Sequence, residues 1–169
     1  MKKTLIIGGA ILALVVAIIL CVILFSGGAT GSGSNKVDTM AINIETFHSK
    51  VSESQELLDT VADDIYSNWY DAIYKDKFNE NINTAIAMAR LDNADNLEKI
   101  EALDKEISDL FKDVKDSEHS KLIKDIMAAY SDYYEFVVNV SGSFNSYSAD
   151  KETLKKELAS LLRDLSYEI

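Results

Sequence analysis

The sequence predicts an all-α protein: an N-terminal single transmembrane helix followed by an antiparallel four-helix bundle with long helices. Three observations carry that expectation. None of the 169 residues is proline, where an average composition supplies about 5%, and a helix interior is the setting that tolerates proline least. Six of the seven glycines fall in the first 33 residues, leaving Asn35 to Ile169 with Gly142 alone. Apolar residues then recur at heptad spacing from Val37 onward, the pattern of a buried stripe on one helix face. The resulting division is a cytoplasmic start at 1–4, a signal-anchor span at 5–25, a tether at 26–36 and an acidic helical domain at 37–169.

Leu5 to Phe25 carries no charge. As a helix it would be about 31 Å long, the thickness of a bilayer core of about 30 Å, so the lipid bilayer is the first expected partner. Lys2 and Lys3 precede it and no basic residue follows until Lys36, which places the N-terminus in the cytoplasm and the rest outside. The alternative is secretion after cleavage near Gly27-Gly28-Ala29. A cleaved signal usually has an apolar core of only about 7 to 15 residues, so an uncleaved anchor is favoured. Cys21 follows Leu20, a side chain too large for a lipidation signal. Gly9, Ala13 and Ala17 repeat at the small-xxx-small spacing that lets membrane helices pack closely, one route to a homodimer. Ser26 to Ser34 reads SGGATGSGS, the composition of a flexible tether.

The first outer helix puts Val37, Ile44, Val51, Leu58, Ile65 and Ala72 at every seventh position, with Met40, Phe47 and Val61 beside them and polar Ser54 and Asn68 in the same series. Beyond Ile65 the stripe widens through Tyr66, Trp69, Tyr70, Ile73 and Tyr74, which predicts more than one neighbour there. A second helix follows through Ile82, Ile86 and Ala89, then Leu97 to Val114, with a polar interruption at Asp92 to Asn96 that reads as a kink or a short loop. The third, capped at Asp116 or Ser117, carries Leu122, Ile126, Tyr130, Tyr133, Val137, Val140 and Phe144 and is expected to be the most buried element. Gly142 and its serine neighbours mark a loop. The last helix, capped by Ser148 or Asp150, turns Leu154, Leu158, Leu161, Leu162 and Leu165 inward.

Charge and inventory then exclude function classes. Residues 35 to 169 carry 28 acidic against 15 basic side chains, a net charge of −13. That field repels nucleic acid. With glycine so scarce, phosphate-binding loops and nucleophile elbows have nothing to be built from, and without an outer cysteine there is no thiol catalysis or thiolate zinc site. Glu45 with His48, and Asp116 with His119, repeat the carboxylate-x-x-histidine spacing of di-iron bundles. They are weak metal candidates, because Asp116 falls in a turn and the matching glutamates are missing. No catalytic residue and no cofactor is expected.

Tyr66, Trp69, Tyr70 and Tyr74 form an aromatic strip, suited either to a wide core layer or to recognition of a protein partner. The leading expectation is therefore a membrane-anchored bundle acting by protein–protein interaction, as an adaptor, an exclusion factor or an envelope-complex component. One span leading into a helical bundle also resembles the outer part of four-helix-bundle chemoreceptor domains, which implies a ligand sensor signalling through a partner. The likeness is one of layout, since that family's second span and signalling module are lacking in these residues.

Overall fold

The computed structural model describes residues 39–75 and 77–169; the expected span, its Gly9, Ala13 and Ala17 face and the tether lie outside the described residues. Five α-helices and one short 3-10 turn make up the described chain, with no strand among the described residues. No helix among the described residues is long and apolar enough to cross a membrane.

Helix α1 (Thr39–Tyr74) is 36 residues long, about 54 Å at 1.5 Å per residue. Its heptad residues Ile44, Val51, Leu58, Ile65 and Ala72 are buried, and so are Phe47 and Val61. Met40, expected on the stripe, is 39% exposed. The two polar members find partners instead of water. Ser54 is fully buried and shares a 3.3 Å hydrogen bond with the Tyr130 hydroxyl, and Asn68 Nδ2 donates to the Ala85 carbonyl at 3.4 Å.

After a turn through a 3-10 segment (Lys77–Glu80), where Phe78 takes φ 59°, the chain returns along α1 as α2 (Ile82–Asp92) and α3 (Ala94–Val114). Asn81 caps α2 by accepting the Thr84 amide at 3.0 Å, satisfying one of the first-turn amides that lack intrahelical partners. The expected interruption at Asp92 to Asn96 shrinks to Asn93, the single residue between the two helices. Asn93 is 4% exposed and uses both ends of its amide: Nδ2 donates to Ala89 O at 3.0 Å and to Asp64 Oδ2 at 2.8 Å, while Oδ1 accepts from Asn96 at 2.8 Å. The break is thereby pinned to α1.

Helix α4 (Ser120–Val138) starts later than Asp116 or Ser117 would set it: His119 occupies the cap position, and Lys115 holds the Asp116 carboxylate at 2.6 Å. Helix α5 (Phe144–Glu168) starts earlier than expected. Ser143 and Ser146 form a reciprocal capping box, leaving Ser148 and Asp150 inside the helix. Gly142 makes the turn possible with φ 88°, a conformation that costs any residue bearing a Cβ.

Cross-helix bonds give the directions. Along α1 and α5, His48 pairs with Leu162, Gln55 with Lys155 and Ala62 with Tyr147, so the two run antiparallel. Lys50 with Glu106 of α3, and Asp64 with Asn93 just before α3, show the same for α1 and α3. Ser54 with Tyr130 and Asp59 with Tyr133 run in register order, so α4 lies parallel to α1. Helix α1 touches every other α-helix and supplies the largest share of the buried residues. That share reflects its length: α4, expected to be the most buried element, buries six of its 19 residues against 11 of 36 in α1, a similar fraction.

Candidate functional site

Spacing at i, i+4 places Tyr66, Tyr70 and Tyr74 above one another on the last turns of α1. Tyr70 and Tyr74 have ring centroids 4.7 Å apart, and Tyr66 and Tyr70 6.4 Å. One residue of another helix gathers them. Phe144, the first residue of α5, stacks on Tyr66 at 5.1 Å and meets Trp69, Tyr70 and Tyr74 at about 6 Å each. Phe144 holds this position because the Ser143 cap starts the helix there. The expectation that it extended the α4 stripe was wrong for that reason; the clue was the Ser-x-x-Ser spacing at 143 to 146.

The four aromatic candidates divide by burial. Trp69 is 4% exposed and packs on Tyr147 at 5.5 Å behind the tyrosines, whereas Tyr70 is 38% and Tyr74 60% exposed, with Ile73 exposed alongside. Tyr66 is half-buried, its face covered by the Lys151 ammonium at 4.9 Å. Lys151 is itself largely buried and ion-paired with Asp63, so the cation is both neutralised and held on the ring. At the outer edge, Lys75 lies 5.5 Å from the Tyr70 ring centre and 2.8 Å from Asp71 Oδ1. Hydrogen bonds from Lys75 and Lys77 hold the Asp71 carboxyl below its ordinary pKa. The result is an apolar and aromatic strip with charges along its rim.

The second aromatic group, on α4, is core. Tyr130 and Tyr133 are fully buried with hydroxyls bonded to Ser54 and Asp59, and Phe136 stacks on Tyr147 at 4.6 Å.

The weak metal candidates are brought to one end of the helices but are engaged separately. His48 donates through Nε2 to the Leu162 carbonyl at 3.0 Å, and His119 Nδ1 lies 2.9 Å from Glu168. Glu45 is exposed, and Asp116, lowered in pKa by the Lys115 hydrogen bond, pairs with lysines. No group of three His, Cys, Asp or Glu residues able to hold a metal exists among the described residues.

Comparison with protein-family models, with curated proteins and with solved structures finds no match to this chain.

Proposed function

We propose that the chain is a single-pass membrane protein whose outer helical domain acts by binding another protein. In this reading residues 5–25 anchor it, residues 26–36 form the tether, and residues 37–169 form an antiparallel four-helix bundle in which α2 and α3 together count as one broken rod. It serves as an adaptor, an exclusion factor or a component of an envelope complex, and performs no catalysis.

The observation that carries the reading is the exposure of Tyr70, Ile73 and Tyr74 side by side on the end of α1. Tyrosines presented on a rigid helix are typical interface anchors, combining large apolar area with few rotatable bonds. Phe144 and Trp69 support the strip from behind, so it is pre-organised and loses little entropy on binding.

A photo-crosslinking residue placed at Tyr74, and at Lys105 on the exposed face of α3 as a control, tests this in intact cells. The expected result is a discrete adduct from position 74 alone, lost in the Tyr70→Ala variant at a temperature where its circular dichroism shows that it remains folded. An adduct of twice the chain mass would identify the partner as a second copy. Equal labelling from both positions would refute the reading.

A further inference from the structure

Helix α2 carries apolar surface away from its buried side. The residues it buries are Ala85 and Ala89, and the Ala85 carbonyl accepts from Asn68 of α1, so that side of the helix is committed to the core. Thr84, Ala87, Met88 and Leu91 follow one another at three- and four-residue spacing, which lines them up on a second face. All four are exposed, Leu91 at 66% and Met88 at 39%. A lone exposed leucine is ordinary, whereas a continuous apolar row on a rigid helix is the surface of a contact.

Charge narrows what lies against that row. The other α-helices expose carboxylates, among them Glu56 on α1, Glu101 on α3, Glu135 on α4 and Glu157 on α5, in a domain of net charge −13 from 15 basic and 28 acidic side chains. Helix α2 has two charges, Arg90 and Asp92. Arg90 is drawn to the Val138 carbonyl at 2.8 Å, and Asp92 is the last residue of the helix, beyond Leu91. A basic partner would be attracted to the carboxylates of the other helices and would find no counter-charge on the row. A second copy of the chain is repelled by those carboxylates and meets no like charge on the row.

The row also fits a copy of itself. Ala87 is small enough to let two helices approach, and Met88 and Leu91 are long enough to fill the space beside the crossing point. Crossed helices diverge toward their ends, which keeps the Asp92 carboxylates of the two copies apart.

We propose that the outer row of α2 is the contact between two copies of this chain, a two-fold pairing with Ala87 at the crossing and Met88 and Leu91 of each copy packed against the other. Asn68, which bonds α2, and Tyr70, which meets Phe144, are two residues apart on α1, about 200° around the helix. The tyrosine strip therefore lies on the other side of α1, and pairing through α2 leaves it free for its own partner. Two helical turns bury far less than the roughly 1,200 Å² of a stable interface, so the pairing is weak and needs a high protein concentration.

Concentrated full-length protein in mild detergent, with the single cysteine removed as Cys21→Ser, tests this whether or not residues 5–25 span a bilayer. On oxidation, Ala87→Cys should give a disulfide-linked dimer in several-fold higher yield than Lys105→Cys on the exposed face of α3. Adding Leu91→Glu should lower that yield to the Lys105→Cys level at a temperature where circular dichroism shows the chain folded, while adding Leu91→Met should preserve it. Tyr70→Ala should leave the yield as it was. Equal yields at positions 87 and 105, or a dimer that survives Leu91→Glu, would overturn the proposal. Loss of the dimer in Tyr70→Ala would also overturn it, by assigning the contact to the strip. A photo-crosslinking residue at position 87 in intact cells should yield an adduct of twice the chain mass; an adduct of another mass in its place would assign α2 to a different protein and overturn the pairing.

Discussion

Tyr133 of α4 donates its hydroxyl to Asp59 Oδ1 of α1 at 2.6 Å, while Lys155 of α5 holds the other oxygen of that carboxylate at 2.9 Å. One aspartate thus ties three helices together. Its carboxylate is only 22% exposed, which strengthens both contacts relative to a surface pair.

Tyr133→Phe removes the donor and leaves the apolar ring in place. Hydrogen bonds to charged groups contribute about 1.5 to 3 kcal/mol, and because Lys155 stays on Asp59, the loss should lie near the lower end, about 1.5 kcal/mol. Denaturant unfolding would measure it. A variant as stable as the parent would show that the bond contributes nothing net.

Alkaline solution should unfold the domain through its buried tyrosines. Burial pushes the hydroxyls of Tyr130, Tyr133 and Tyr147 well above the ordinary tyrosine range, with Asp59 adding to the effect at Tyr133 and the Ser54 hydrogen bond opposing it at Tyr130. The folded state keeps these protons, whereas the unfolded chain releases them near pH 10. Stability is therefore full below about pH 10 and declines as pH rises above it. Phenolate absorbance should show these three residues ionising together with unfolding.

Asn93→Ala should separate α2 from its anchorage on α1. The substitution removes the bonds to Asp64, Ala89 and Asn96, and loss of a buried polar junction costs about 1 to 3 kcal/mol. Hydrogen exchange should rise at Ala94 to Leu97, the start of α3. Uniform loss of protection across the domain would mean that Asn93 acts on global stability alone.

Gly142→Ala should destabilise the α4–α5 turn. The residue sits at φ 88°, and an added Cβ would lie 2.9 Å from Ser146 Oγ, a member of the capping box. Backbone strain of about 1 to 2 kcal/mol, with some disturbance of the cap, predicts a lower melting temperature. Ser141→Ala, next to it and exposed, should leave the temperature within the scatter of neutral surface changes.

Heptad spacing made α1 legible because burial of one face needs only the helical period, and Ile44, Phe47, Val51, Leu58, Val61, Ile65 and Ala72 are all core. Helix starts were less legible. Short polar residues offered several caps in each turn, and the choice of Ser143 over Ser148 depended on where the chain after Gly142 could bring Phe144 onto the tyrosines. The same holds at Asn93, whose burial follows from Asp64 on another helix.

The candidate strip was visible as Tyr66, Trp69, Tyr70 and Tyr74, but its division into a buried tryptophan and exposed tyrosines was not. Period alone cannot say how many neighbours a widened stripe receives. Composition and periodicity by themselves determined the helical class, the acidic character of residues 35 to 169 and the stripe of α1, because these depend on residue type and on spacing along one helix. Only the tertiary structure decided that Phe144 gathers the tyrosines, that Asp59 joins three helices and that Trp69 packs behind the strip on Tyr147. Each of those relations is made between residues far apart in the chain, and is set by which helices pack against α1.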